Sequence, residues 1–148
     1  MVDRHGPMRT GRFTVEIDDV EVQGFRRVDI PSSHTEAGEY REGDDPDYEK
    51  KLWGQTSFAP LTMERGVQPG DTRLFDWRQQ IINGQVDEGR KEVAVILRDE
   101  EGEAQIRWEF HEAWIQDYDP PTLDASADDD VATESITVAF DKMVREEV

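Results

Sequence analysis

Cysteine is missing from this chain of 148 residues. Its absence rules out disulfides, thiolate metal sites and a cysteine nucleophile, and it removes the usual marker of redox compartment. Lysine is nearly missing: Lys50, Lys51, Lys91 and Lys142 are the whole set, and the other basic residues are Arg. Long apolar runs are missing too. None approaches the roughly 20 residues that a membrane helix needs, and residues 1–12 are polar, without an apolar signal segment. These absences predict a chain made in the cytoplasm, with no recognisable export signal and no membrane anchoring.

What the chain has in excess is acid. Asp and Glu number 35 against 17 Lys and Arg, for a formal net charge of −18. Excess carboxylate with few Lys is the composition of chains that stay soluble in very high salt, as in a halophilic host. The acids are spread along the whole sequence, which suits that reading. A surface that must not adhere to a polyanion is a second source of the same charge, and the two are compatible. Nucleic-acid binding through a basic patch is excluded. The length predicts one domain, residues 1–148, with a core of its own.

Extended patterns dominate. Phe13, Val15 and Ile17 alternate with Arg12, Thr14 and Glu16, as in a half-buried strand. Asp18-Asp19 is a two-residue turn into a strand beginning at Val20, and Gly24-Phe25 marks a bulge or bend. Residues 26–30 continue extended, and Pro31-Ser32-Ser33 ends them. Val93-Ala94-Val95-Ile96-Leu97 is a continuous apolar run, which predicts a central strand covered on both faces. After a hairpin turn at residues 99–102, Ala104, Ile106, Trp108 and Phe110 alternate with Glu103, Gln105, Arg107 and Glu109. The phase becomes ambiguous around Ala113-Trp114-Ile115, and Asp119-Pro120-Pro121 ends the run. Residues 135–140 form the last predicted strand. One helix is predicted, over residues 72–83, with Leu74, Phe75, Trp77, Ile81 and Ile82 as its apolar stripe and Gly84 as its stop. Many strands, short turns and one helix predict a mainly β fold, an antiparallel sandwich or barrel with a flanking α-helix.

Residues 35–65 break this regularity. They read as two extended arms, 35–42 and 55–65, around a turn-rich centre at 43–54. A connection of that length between strands is commonly functional or disordered. Tyr48, Leu52 and Trp53 argue against disorder, because large apolar groups gain by burial. The stretch reads as a long hairpin whose tip docks on something, a second copy of the chain among the options. The first arm is polar on both faces, so its pairing is poorly specified within one chain. It makes sense in a sheet shared between subunits, with one face wetted by a channel.

No constellation carries chemistry. His5, His34 and His111 have no metal-ligand spacing. No Ser sits in a strand–turn–helix elbow, and residues 66–70 lack the Lys of a phosphate-cradling loop. Asp44-Asp45-Pro46-Asp47 lacks the spacing of a Ca²⁺ loop. The four Trp fit core or interface better than a ligand box. A catalytic site, a metal and a cofactor are therefore not expected.

The motifs do resemble a family. Tyr40-Arg41-Glu42-Gly43-Asp44-Asp45-Pro46-Asp47-Tyr48, followed by Lys50-Lys51-Leu52-Trp53-Gly54, resembles the hairpin motif of tail tube proteins of contractile-tailed phages. That family includes inner tube proteins of extracellular contractile injection systems. Phe13 to Asp18, Gly24-Phe25, Leu61-Thr62-Met63-Glu64-Arg65-Gly66, Leu74-Phe75-Asp76-Trp77-Arg78, Trp108-Glu109-Phe110 and Asp119-Pro120-Pro121 follow in the family's order. Asp19 departs from a position often held by Gly, and Trp53 from one often held by Pro.

The resemblance implies two packed antiparallel sheets, one helix, and six subunits closing a continuous barrel around a pore. Rings stack into a tube through the hairpin, about residues 39–54, and residues 1–11 are a flexible or interface N-terminus. Glu36, Thr62 and Glu64 are expected to face the lumen. The implied partners are other copies of the chain, a sheath protein, baseplate and terminator proteins, and a tape-measure protein, DNA or protein cargo inside. A phage tail, a protein-injecting particle and a secretion-system tube are equally compatible with the residues. The rival from another class is a monomeric β-barrel that binds a small ligand.

Overall fold

The computed structural model describes residues 6–40, 50–126 and 130–148. Among them the chain runs β1 (Phe13–Ile17), β2 (Val20–Val22), β3 (Phe25–Asp29), β4 (Ser33–Tyr40), β5 (Lys50–Phe58), β6 (Leu61–Gly66), α1 (Arg73–Ile82), α2 (Val86–Gly89), β7 (Lys91–Arg98), β8 (Ala104–Asp119), β9 (Thr133–Ala139) and β10 (Lys142–Glu147). The hydrogen-bonded order is β2-β1-β7-β8-β9-β6-β3, with β10 also on β8 and β4–β5 paired apart from the rest. Every pairing is antiparallel.

The 16-residue strand β8 belongs to both layers. Its first part pairs with β7 and β10, and its last part, from Trp114, pairs with β9. Between the two lies a bulge, where Lys91 and Val93 of β7 face Ala113 and Phe110. Glu112 takes φ +55° there, a conformation that bends the strand. This bulge is the physical reason the alternation of the sequence loses its phase near Ala113. A second crossing between the layers lies at Gly24, φ +93°, where β2 of the first sheet turns into β3 of the second. A Cβ is disfavoured at that angle, so Gly suits the corner.

The core forms between the layers. Val15, Val93, Val95 and Phe110 come from the first sheet, and Leu61, Met63, Ile115, Ile136 and Val138 from the second. Leu74 and Trp77 of α1 join the same cluster. The opposite face of β7 is covered differently. Ala94 and Ile96 are also buried. Their registered neighbours are Glu16 and Thr14 on β1, and Glu109 and Arg107 on β8. Arg107 holds Glu16 at 3.2 Å and Glu109 at 3.0 Å, so the aliphatic stems of an ion-pair network roof the strand.

Several sequence expectations are corrected. The arm drawn as residues 55–65 is two strands in two sheets, interrupted at Ala59-Pro60. Residues 50–54, read as turn, open β5. A second short helix, α2, follows the first, and β10 follows the strand predicted to be last. Helix α1 spans 73–82, with Thr72 and Asn83 as its caps. The Asp18-Asp19 turn is present with both residues at positive φ, 50° and 64°, as a primed two-residue hairpin needs. Asp18 is held by the backbone of β7: its N–H donates to Glu92 O at 2.7 Å, and its carboxylate accepts from Glu92 N at 2.9 Å.

Candidate assembly interface

The outward face of the second sheet is polar in two registered rows. One row runs Arg27, Glu64, Ser135, Asp119 across β3, β6, β9 and β8; the next runs Asp29, Thr62, Thr137, Asp117. Alternation produces this directly, because Leu61, Met63, Ile136 and Val138 point the other way into the core. The face offers four carboxylates, three hydroxyls and one guanidinium. Arg27 donates to Asp29 at 3.4 Å, and Ser135 to Asp119 at 3.5 Å. Thr62 and Glu64, expected to face a lumen, lie side by side here. Glu36 does not join them: it sits on β4, in the separate hairpin.

The same sheet ends in two edges. Strand β3 pairs with β6 on one side and with no strand of the described residues on the other. The side of β8 that carries β7 over its first half carries no strand over its second half, again among the described residues. Arg78 of α1 occupies the start of that edge, donating to Ile115 O at 2.9 Å and Gln116 O at 3.1 Å. Unpaired rows of N–H and C=O invite a further strand.

A buried polar network sits beneath the polar face. Arg65 Nε donates to Glu134 Oε1 at 2.9 Å and its Nη1 to Asp71 Oδ2 at 3.0 Å. Tyr118 OH donates to Glu134 Oε2 at 2.6 Å, and the guanidinium lies 5.9 Å from the Phe25 ring centroid. Burial opposes the charge on Arg65, but its bonds to Asp71 and Glu134 outweigh burial and move its pKa up. The hydrogen bond from Arg65 holds Asp71 below the usual carboxylate range. Burial, reinforced by Glu134, pushes the Tyr118 phenol up to about 12. The network ties β6, β8, β9 and the loop before α1 together. Sequence reasoning missed it, since Arg65 reads there as one more polar residue at a strand end.

The β4–β5 hairpin touches the body at its base. Ala59 N donates to Ser32 O at 2.9 Å, and the Phe58 and Phe140 rings lie 5.9 Å apart. Beyond the base, Leu52 and Trp53 are exposed, Trp53 by 86%. Gly54 sits in a bulge where its neighbour across the ladder is the Glu36 backbone; a Cβ there meets Glu36 O at 3.3 Å. Of the proposed stacking residues, Tyr40, Lys50, Lys51, Leu52 and Trp53 lie on these strands. Arg41, Glu42, Gly43, Asp44, Asp45, Pro46, Asp47 and Tyr48 lie outside the described residues, as does the Asp-rich stretch compared with a Ca²⁺ loop.

Along the helical flank, Leu74 and Trp77 are buried, and Trp77 Nε1 donates to Gly89 O at 2.7 Å. Ile81 lies against Gly89. Phe75 and Ile82 face outward, with Phe75 edge-on to Tyr118 at 6.1 Å. His111 sits 2.6 Å from Glu92 and 3.7 Å from Glu109, in the polar roof over β7. Among the described residues no three His, Asp or Glu side chains are grouped as a metal site, and no helix is long and apolar enough to cross a membrane.

Solved structures share this architecture. A chain of an extracellular contractile injection system, the PVC sheath–tube complex in the extended state, superposes with a TM-score of 0.85 at 29% identity, covering 98% of this chain and 95% of that one. A chain of the PVC sheath/tube terminator in the extended state gives 0.84 at 28% identity, covering 97% and 99%. A chain of the anti-feeding prophage cap, the tube-terminating cap, gives 0.82 at 25% identity, covering 100% and 96%. A search of curated protein sequences found no match. The family model described as T4-like virus tail tube protein gp19 matches residues 9–144. The chain belongs to that family, whose members are structural subunits of tubes.

Proposed function

We propose that this chain builds the inner tube of a contractile tail or injection particle as rings of six copies that close and stack. The observation that carries the reading is the second sheet, which among the described residues has an edge without a strand on each side and one face with no apolar residue in its two central rows. Joining β3 of one copy to the second half of β8 in the next removes both edges and continues the sheet around a hole. The rows of Glu64, Asp117, Asp119 and the hydroxyls then line a water-filled lumen. Such a lining repels phosphate, so DNA or a protein cargo passes without adhering. A contracting sheath drives the finished tube through a target envelope. Sheath, baseplate and terminator proteins are its outer and end partners, and a tape-measure protein fits the lumen during assembly. Assembly in the cytoplasm and a high-salt host fit the charge. The helix face and the hairpin lie away from the lumen, and the hairpin reaches the neighbouring ring.

The ligand-binding monomer is the weaker reading, since a monomeric barrel needs its strand path closed and this path is open from β2 to β3. Negative-stain imaging of the purified chain in high salt tests the proposal. Rings with a central hole, and tubes of stacked rings, are expected. A protein that stays monomeric across salt and concentration overturns the reading.

A further inference from the structure

We propose that the apolar strip on the helical flank, Phe75, Ile82 and Val86, is the receiving site for the Lys50-Lys51-Leu52-Trp53 segment of a second copy in the adjacent ring. The inference rests on the tube reading and adds the surface that the hairpin meets.

Two exposed apolar groups stand out on this acidic chain. One is Leu52 with Trp53 on β5, exposed by 54% and 86%. The other is Phe75, Ile82 and Val86, exposed by 49%, 58% and 62% along α1 and α2. Phe75 and Ile82 stand seven positions apart, on one side of α1, and Val86 opens α2; exposed apolar side chains on one flank mark contact surfaces. The charges around them are complementary. Two of the four lysines of the chain precede Leu52 directly. Asp87 and Glu88 follow Val86 directly and form no ion pair among the described residues. The cations on the same flank are engaged elsewhere: Arg73 with Asp71 and Glu21 O, Arg78 with the carbonyls of Ile115 and Gln116, Arg90 with Asp141. The strip therefore adjoins two carboxylates that form no ion pair among the described residues, and in the sequence two lysines directly precede the exposed Leu52 and Trp53.

The occupant is another copy. Within its own chain the hairpin pairs with no other strand of the described residues and Leu52 and Trp53 stay exposed, so its own helix does not cover them. A contact between two different patches of one chain is heterologous, and repeated it gives a stack and not a closed pair.

The absence of Cys makes a direct test free of background. Trp53→Cys and Ile82→Cys are prepared as separate proteins, mixed, assembled and treated with a short bis-maleimide. A cross-linked dimer at least tenfold above a Trp53→Cys with Val20→Cys control is expected in tubes. Ile82→Cys should also lose its reaction with a bulky maleimide on assembly. A charge exchange gives an independent readout at low salt, where screening is weak. Lys50→Glu/Lys51→Glu should cut tube yield about tenfold, and Asp87→Lys/Glu88→Lys placed in the same chain should restore it; unchanged melting of the unassembled protein checks folding. Tubes that form from the Cys variants without the cross-link, or with Ile82→Cys still reactive, overturn this inference and leave the tube reading standing. The latter outcome would hand the strip to a partner outside the tube, the sheath first. Wild-type protein that forms no tubes overturns the tube reading itself.

Discussion

Arg65 and Glu134 face each other across β6 and β9 as a registered pair, bonded Nε to Oε1 at 2.9 Å with the guanidinium fully buried. A pair so placed is costly to break from one side, because the remaining charge stays in the core. Arg65→Met should lower stability by about 3–5 kcal/mol. Arg65→Met combined with Glu134→Leu should recover part of that loss, since it removes the buried Glu134 carboxylate, while the half-buried Asp71 and the Tyr118 hydroxyl each lose a partner. Urea unfolding at constant m-value measures both. A double variant no more stable than the single one would show that the pair contributes more than mutual neutralisation.

Tyr118 gives the network a signature in alkali. Its folded pKa is raised to about 12 from an ordinary 10, by burial first and by Glu134 second. The folded state therefore holds this proton more tightly than the unfolded state. The associated stability is complete below pH 10 and is lost as pH rises toward 12. Asp71 acts in the opposite direction, since its pKa is lowered by Arg65. Its contribution is present above its unfolded pKa and is lost as pH falls through the lower folded value. Tyr118→Phe should remove the alkaline slope and cost about 1.5–3 kcal/mol at neutral pH for the lost bond to a charged acceptor. An unchanged alkaline slope in Tyr118→Phe would assign that slope to another group.

The two helices meet at Gly89. Trp77 Nε1 donates to Gly89 O at 2.7 Å, and the missing Cβ of Gly89 leaves room for Ile81. Trp77→Phe keeps an aromatic ring but strands the carbonyl, at a cost of about 1–3 kcal/mol. Gly89→Ala forces the Ile81 side chain aside, at a cost of about 1–3 kcal/mol. The two effects share one contact, so the double variant should fall short of their sum. Strict additivity in thermal unfolding would contradict the shared contact.

Strands with clean alternation or a continuous apolar run were legible in the sequence, because burial on one face or two writes itself into the period. The run at 93–97, the alternation at 103–110 and the pair Leu74 and Trp77 encode their neighbours this way, whereas Phe75 and Ile82, read into the same stripe, face outward. Thr62 and Glu64 were legible as one outward face for the same reason. The rest was hidden by context. Strand β10, Lys-Met-Val-Arg-Glu-Glu, is an edge strand with little apolar content, and charge at an edge looks like a loop in a single sequence. The break at Ala59-Pro60 sits inside an apolar pattern whose parity survives it, so two strands read as one arm. The buried role of Arg65 depends on Asp71, Tyr118 and Glu134, which lie up to 69 positions away and leave no local period. The contact surfaces between copies leave only indirect traces: polar rows where a sheet should bury a face, and Trp53 where water should not want it.

Charge sets the response to salt. At −18 the chain repels itself, and Arg107 is placed between Glu16 and Glu109 at 3.2 Å and 3.0 Å. The ion pairs are partly exposed and should weaken only slightly on screening, whereas repulsion among spread acids should weaken more. The urea midpoint should therefore rise between about 0.1 M and 1 M KCl, as the screening length falls from about 10 Å to about 3 Å. Arg107→Gln should steepen that rise, since it leaves Glu16 and Glu109 facing each other. A midpoint that falls with salt would mean that attraction, and not repulsion, dominates the surface.

Gly54 separates folding from assembly. Its backbone passes close to Glu36 in the bulge of the β4–β5 hairpin, and an added Cβ would lie 3.3 Å from the Glu36 carbonyl oxygen. A branched side chain is worse placed than a single methyl, so Gly54→Val should shift the register between β4 and β5. Register decides which face each residue presents, so the displaced Leu52 and Trp53 would no longer meet a neighbour in the same way. The body should scarcely notice, because the hairpin pairs with no other strand of the described residues. Gly54→Val is therefore expected to leave the thermal midpoint of unassembled protein within about 2 °C, a shift worth about 0.5–1 kcal/mol at this size. Tube yield in sedimentation should drop severalfold, while rings remain visible by negative stain. Normal tubes from Gly54→Val would show that the hairpin ladder is not what positions Trp53, and a large loss of thermal stability would show that the hairpin is part of the folding unit.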